Sequence, residues 1–332
     1  MKRELLNLLR CPQCHGVVRL ASDKVQCDEI ETGQLHCEGC ACEYPIVNSV
    51  PRFVPKDNYS NNFGIQWNLY RKSQLDSHSG VPISSDRFFS YTGWTPADLK
   101  GKLVLDVGCG AGRFAEIALS CGARVVAVDY SSAVDACWEN HCDKASFHIV
   151  QGDIYQLPFK PGSFDFVYCL GVLQHTPDVK KAFLALPKQL NENGQLAVDI
   201  YPKLLRNLFW SKYWVRPITK RMSPRSLLKL VRLLVRALLP VSVFLSRIPI
   251  AGPKLKYLIP VANYTGVYPL SIEQIKEWAV LDTFDMLAPA HDHPQTLTTL
   301  SEWFAEARLE NVKVFRKGFF VGRGSRAVAG SK

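Results

Sequence analysis

From Lys102 onward the sequence repeats one unit: a short apolar run that ends in an acid, a turn, and an amphipathic helix. KLVLD (Lys102 to Asp106) leads into VGCGAGR, with Gly108, Gly110 and Gly112, then into a helix from Arg113 to Cys121 stopped by Gly122. Arg124 to Asp129 (RVVAVD), Phe147 to Asp153 (FHIVQGD) and Phe164 to Leu170 (FDFVYCL) follow as strands, and Leu196 to Tyr201 as a fifth. Strands that alternate with helices at this spacing lie parallel, because each return passes through a helical crossover. The expected fold is therefore α/β, a Rossmann-like doubly wound sheet whose binding edge is the carboxyl end of its strands. Glycines at that edge let the backbone turn sharply and approach a ligand closely. An acid at one strand end is as readily a helix cap as a ligand contact, but its ordered recurrence favours binding.

The 332 residues exceed what one such core occupies, and the cysteines mark a second unit. Cys11 and Cys14 form one Cys-x-x-Cys knuckle and Cys37 and Cys40 another, 22 residues on. Two symmetric knuckles suit a tetrahedral zinc ion better than a redox dithiol or a disulfide framework. A segment of this size buries too little apolar surface to fold alone, so the metal has a structural role. Cys27 and Cys42 lie outside the pairs, as substitute ligands or buried thiols. The other cysteines, between Cys109 and Cys169, are scattered singly through core strands and helices, which points to a reducing, cytoplasmic setting.

Apolar residues make up 47% and charged ones 21%, which excludes a disordered chain. The longest uncharged apolar run, Ala237 to Ser246, falls short of the roughly 18 residues that span a bilayer. No transmembrane helix is expected, and MKRELLNLLRCPQC lacks the apolar core of a signal peptide.

Two resemblances attach to these motifs. LLNLLRCPQCHG and LHCEGCACEYPIVNSVPRFVP, with Tyr44, Pro45 and Ile46 after the second knuckle, resemble the zinc-ribbon family of the tRNA-methyltransferase activator subunit. That module stabilises a methyltransferase partner. VLDVGCGAGRF, AVDYSS, QGDIYQLPF and FDFVYCLGVLQHTPD resemble the class I methyltransferases, in the branch that includes ubiquinone and menaquinone biosynthesis enzymes. The spacing Gly-x-Gly-x-Gly, unlike the nicotinamide fingerprint, agrees with S-adenosylmethionine. The resemblance implies a seven-stranded sheet whose last strand is antiparallel. It implies Asp106, Gly108, Cys109 and Gly110 around the methionine moiety and Asp129 at the ribose, with Gly112 and Tyr130 also among the cofactor-binding residues. Asp153 would meet the adenine amino group, Ile154 would stack on the ring, and Leu170 to Val172 would line the methionine side. Upstream, the resemblance makes Gln66, Trp67 and Arg71 candidate contacts that cover the cofactor, with plain helix packing as their other reading. The stretch WAVLDTFDMLAPAHDHPQT resembles an Asp-rich, proline-containing loop of bacterial proteins that combine both modules.

The organisation expected is a zinc ribbon over 1–55, a helical extension over 56–100, the S-adenosylmethionine-binding core over 101–201, a mainly helical acceptor cap over 202–300, and a final helix and strands over 301–325. Within the last, a helix from Ser301 to Arg308 and strands at Val312 to Phe315 and Phe319 to Gly322 are expected.

Methyl transfer is an in-line displacement that needs alignment and an electron-rich acceptor. His175, just past the fourth strand, is the candidate catalytic base, with core packing as its other reading. His291 and His293, around Asp292, form a second polar cluster. YCLG (Tyr168 to Gly171) lacks the Asn-Pro-Pro-Tyr type of motif used on base amino groups, which makes RNA the less favoured substrate. The segment from Tyr201 to Pro260 carries thirteen Lys and Arg and no Asp or Glu. Ser223 and Pro224 start a helix there, with Arg225, Lys229, Arg232 and Arg236 in one stripe and leucines filling the rest. Such a helix suits a buried cap with its stripe in solvent, or peripheral contact with a membrane. Trp210, Tyr213 and Trp214, among Arg206, Lys212 and Arg216, suit an interface or stacking on nucleic acid. The reading that follows is methyl transfer to a small, lipid-linked or glycan-type acceptor. Its alternatives are an RNA methyltransferase that binds through the ribbon and basic segment, and a non-enzymatic assembly protein.

Overall fold

The computed structural model describes residues 1–26, 29–55, 58–204, 210–248, 252 and 258–327. Cys27 and Arg206 lie outside them. The amino-terminal module is a four-stranded antiparallel sheet of β1 (Val18–Gln26), β2 (Glu29–Cys37), β3 (Glu43–Val47) and β4 (Val50–Pro51) in sequential order.

The main sheet has seven strands: β5 (Leu103–Val107), β6 (Arg124–Asp129), β7 (Phe147–Gln151), β8 (Phe164–Cys169), β9 (Leu190–Ile200), β10 (Leu309–Lys317) and β11 (Phe319–Arg326). Their order is β10-β11-β9-β8-β5-β6-β7, with β5 to β9 parallel and β11 antiparallel to both its neighbours. This is the α/β architecture expected of a class I methyltransferase. β9 begins at Leu190, six residues before the apolar run, because Leu190 already pairs with Phe164 before the polar stretch Asn191 to Gly194 bulges out of register. Alternation then sorts the side chains of β5: Leu103, Leu105 and Val107 face one layer, Val104 the other.

One layer holds α3 (Ile83–Thr92), α5 (Arg113–Ser120) and α6 (Ala133–His141), with Phe88, Phe114 and Val134 in its core. The opposite layer holds α7 (Val179–Ala185) and α11 (Leu297–Glu306), and there the ribbon joins in. Met1, Leu5 and Leu9 belong to the same buried cluster as Phe159, Phe164 and Val167. The ribbon also covers the outer edge of β7. Phe53 donates its amide to the Gln151 carbonyl at 2.8 Å, Arg52 pairs with Asp135 at 2.6 Å, and Arg10 donates to the Pro158 carbonyl at 2.9 Å. An open strand edge is a pairing hazard, and here it is closed within the chain.

Between β9 and α11 the insertion forms α8 (Ser211–Thr219), α9 (Pro224–Ser246) and α10 (Ile272–Leu287). The Ser223 hydroxyl accepts from the Ser226 amide and so caps α9, as the Ser-Pro start predicts. Leu227, Val231, Val235 and Leu239 pack with Ala279, Phe284 and Leu287 of α10. Two expectations need correction. The stretch from Trp278 to Leu287 is helix rather than loop, because a capping box of Ser271 and Gln274 starts α10 and its apolar side chains find α9. Lys212 and Arg216 are not surface cations: both are buried and share the Asp292 carboxylate, at 3.2 and 3.1 Å.

Leu9 is fully buried in the cluster that the ribbon shares with the main sheet. Leu9→Ala is expected to destabilise the chain by about 2–5 kcal/mol in one cooperative transition. Calorimetry that shows a ribbon melting separately, with the main transition unmoved, contradicts the shared core.

Candidate active site

A cavity of about 1340 Å³ runs from the carboxyl edge of the sheet to the underside of the cap. Its floor is the turn after β5. Gly108 and Gly110 have φ of 78° and 54°, and a Cβ would lie 2.4 Å from Val172 at Gly108 and 3.1 Å from the Trp67 indole at Gly110. Only glycine keeps this space open. Asp129, at the end of β6, fixes the turn: one oxygen accepts from the Gly110 amide at 3.0 Å and the other from the Ser131 amide and hydroxyl at 2.8 and 2.7 Å. Burial raises its carboxyl above the usual range despite these bonds. A carboxylate has about four acceptor positions, so Asp129 retains capacity for a ligand hydroxyl.

Cys109, Tyr130, Ile154 and Leu170 also line the cavity, as do Gln66 and Trp67 of α1 (Asn61–Leu69). Four anticipated contacts do not. Asp106 falls on the α5 side of β5 by strand alternation, 2% exposed beside the Tyr168 hydroxyl and the Ala115 amide, and burial pushes its carboxyl up to about 8. Gly112 is the amino cap of α5, packed on Cys137 and His141. The Asp153 carboxylate accepts from the Tyr155 amide at 2.9 Å, while Gly152 and Ile154 on either side reach the cavity. Arg71 turns away to Asn140 and Glu139.

His175 lines the cavity and is 8% exposed, with its ring 5.3 Å from that of Phe63 and 5.4 Å from that of Tyr201. Its Nδ1 lies 3.1 Å from the His291 carbonyl, which fixes the proton there and leaves Nε2, without a partner among the described residues, as an acceptor. Burial lowers its pKa to about 4, so the ring is neutral at ordinary pH. His291 and His293 support this arrangement through their backbones; neither side chain lines the cavity.

The cap contributes groups that no short motif announces. Asp282 and Asp285 of α10 line the cavity, and burial raises both to about 6. Asp282 accepts from the Tyr264 hydroxyl and from Gln74. Arg113 bonds Ser84 and Gln74, and burial lowers it to about 10. Arg87 pairs with Asp199 at 2.5 Å, and Asp199 also accepts from the Gly171 amide. The signal in the sequence was the spacing of Asp282 and Asp285, three apart and so on one face of the mostly apolar second half of α10.

In the ribbon the sulfurs of Cys11, Cys14, Cys37 and Cys40 lie within 4.8 Å of one another. The closest pairs, Cys14 with Cys37 at 3.4 Å and Cys11 with Cys40 at 3.6 Å, approach the roughly 3.8 Å edge of a tetrahedron with 2.3 Å zinc–sulfur bonds. The donor set fits zinc. Cys42 is half-buried outside the cluster.

Residues 105–198 match the family described as methyltransferase domain, and residues 2–49 the family described as Trm112p-like protein. The chain carries a class I methyltransferase domain fused to a Trm112p-like module. Over 100 residues it is 34% identical to the ubiquinone biosynthesis O-methyltransferase of Coxiella burnetii (strain Dugway 5J108-111), covering 30% of this chain and 43% of that protein. It is 31% identical to phosphoethanolamine N-methyltransferase 2 of Caenorhabditis elegans, covering 31% of this chain and 24% of that one. The chain thus spans less than half the length of these curated relatives. Among solved structures, magnesium protoporphyrin IX methyltransferase from Synechocystis PCC 6803 with bound SAH aligns over 81% of this chain and 97% of its own, at 16% identity and a TM-score of 0.44. A chain of the complex between the Haloferax volcanii Trm112 methyltransferase activator and the putative methyltransferase aligns over 46% of this chain and 67% of its own, at 18% identity and a TM-score of 0.37.

Asp129→Ala removes a charged acceptor from the methyltransferase domain without touching the ribbon. S-adenosylmethionine affinity by calorimetry is expected to fall about ten- to hundredfold, with metal content unchanged. Equal loss of both would refute the division of labour between the modules.

Proposed function

We propose that this chain catalyses S-adenosylmethionine-dependent methyl transfer to a small acceptor of the lipid-linked or glycan type, with the ribbon held by a structural zinc ion. The observation that carries this reading is the single cavity that joins the glycine turn to the acids and aromatic rings of the cap. Gly108 and Gly110 give the methionine moiety room, Asp129 takes the ribose hydroxyls, and Tyr130 and Ile154 flank the adenine. Cys11, Cys14, Cys37 and Cys40 hold the metal. When bound, S-adenosylmethionine supplies an electrophilic methyl on a sulfonium.

The acceptor sits under the cap, against Trp278, Tyr264 and Tyr268. His175 Nε2 takes the proton that the acceptor loses as its new bond to carbon forms. The fixed tautomer supports that role, since a base must present a lone pair and the bond at Nδ1 places it on Nε2. Burial of Lys212 and Arg216 weighs against RNA as the substrate, because it withdraws two cations from the basic segment's surface.

The direct test is transfer of labelled methyl from S-adenosylmethionine into a cell lysate, fractionated into lipid, small solutes, protein and nucleic acid. Label in lipid or small solutes is expected; label in RNA alone refutes the proposed acceptor class. With the acceptor in hand, His175→Ala is expected to lower kcat by about 10²–10⁴ with S-adenosylmethionine affinity within about threefold of the parent. A kcat that stays within about twofold assigns His175 to packing.

A further inference from the structure

We infer that the outer face of α9 docks the protein in the plane of an anionic lipid bilayer. The helix has 23 residues and three distinct sides. Leu227, Val231, Val235, Leu239 and Ser242 are buried toward α10 and the cavity wall. Arg225, Lys229 and Arg236 are exposed beside them in a stripe about 60° wide, and none pairs with a carboxylate among the described residues. Arg232, in the same stripe, leans on the Tyr70 hydroxyl at 3.2 Å. The third side is apolar and open: Leu233 is 64% and Phe244 69% exposed, with Ala237 and Val241 between them in the next arc of about 80°.

A face left to solvent has no use for an aliphatic and aromatic row beside its cations. The occupant must be anionic and apolar at adjoining depths. A bilayer with acidic headgroups is both: the stripe meets phosphates while Leu233, Val241 and Phe244 enter the acyl boundary. Nucleic acid supplies phosphates but no apolar medium for Leu233 and Val241. A second copy of the chain would set this stripe against its own like charges, and the segment from Tyr201 to Pro260 has no acid to relieve them. None of the described helices is long and apolar enough to cross a membrane, so α9 lies on it.

The buried side gives this surface a use. Asn263, which lines the cavity, donates to the Ser242 hydroxyl at 3.2 Å, and α10 carries Asp282 and Asp285 into the same space. α9, backed by α10 and by the segment Ile259 to Asn263 that lines the cavity, stands between the proposed lipid surface and the acceptor chamber. The docking does not depend on the methyltransferase reading; the access it gives to a lipid-linked acceptor does.

The test is sedimentation of the full chain with phosphatidylcholine vesicles, with and without about 30% phosphatidylglycerol. Binding is expected with the anionic vesicles and to weaken as salt rises. Reversing Arg225, Lys229 and Arg236 to Glu is expected to lower the partition coefficient about hundredfold. Leu233→Ser with Phe244→Ser, which leaves the charge unchanged, is expected to lower it more than about tenfold. S-adenosylmethionine binding by each variant reports folding separately, and vesicle binding without methyl transfer would sink the enzymatic reading alone. Equal binding to neutral and anionic vesicles overturns the inference, as does no effect of the two Ser substitutions. So does a preference for RNA over vesicles at equal phosphate concentration, or a dimer that Phe244→Ser dissociates.

Discussion

The closure of the β7 edge by the ribbon is the contact on which the remaining structure leans. A parallel sheet with one bare edge strand and the loop Gly152 to Phe159 hanging from it would have little to hold that loop in place. The ribbon supplies the Phe53 to Gln151 bond on one side and the Leu8 and Arg10 bonds to Lys160 and Pro158 on the other. Leu5 and Leu9 fill the space beneath, against Phe159. Because the four cysteines organise the strands that present these groups, the metal site, the sheet edge and the Ile154 wall of the cavity form one mechanical series. The module is therefore part of the catalytic domain's own core rather than an appended binding unit.

At the other end of the sheet the cap closes the cavity with charges rather than with apolar mass alone. Lys212, Arg216 and Asp292 are buried together, and an arrangement of this kind is costly unless its hydrogen bonds are completed. Arg216 also donates to the Pro289 carbonyl at 2.8 Å and to that of Met286 at 3.3 Å. These bonds pin α8 to the end of α10 and to the segment that carries His291, whose carbonyl fixes the tautomer of His175. The polar cluster does not stabilise the cap cheaply, but it sets the register of three chain segments at the point where the candidate base is oriented.

What could be read from the sequence follows the range of the forces involved. The glycine turn, the strand-end acids and the paired knuckles are local patterns, and the elements they mark stand where expected. The Asp106 side chain went astray because a strand-end acid has two faces to choose from, and strand alternation assigned it to α5. Asp282 and Asp285 were hidden because their role depends on how α10 packs on α9, a contact between residues some fifty positions apart. The polar run Asn191 to Gly194 reads as a loop, yet sheet pairing on both sides carries β9 through it as a bulge.

Composition fails in a similar way for the basic segment, and helical phase repairs it. Counting gives thirteen cations with one meaning; among the described residues the structure shows two kinds. Lys212 and Arg216 turn inward because Asp292 waits there, so they contribute internal geometry. Arg225, Lys229 and Arg236 fall outside the buried arc of α9 and contribute only surface potential. The apolar residues divide likewise, with Val231 and Val235 in the cap core and Leu233 between them in the open. A helix that satisfies its neighbours with one arc and leaves a cationic and an apolar arc uncovered is shaped by two environments, and only one of them is protein.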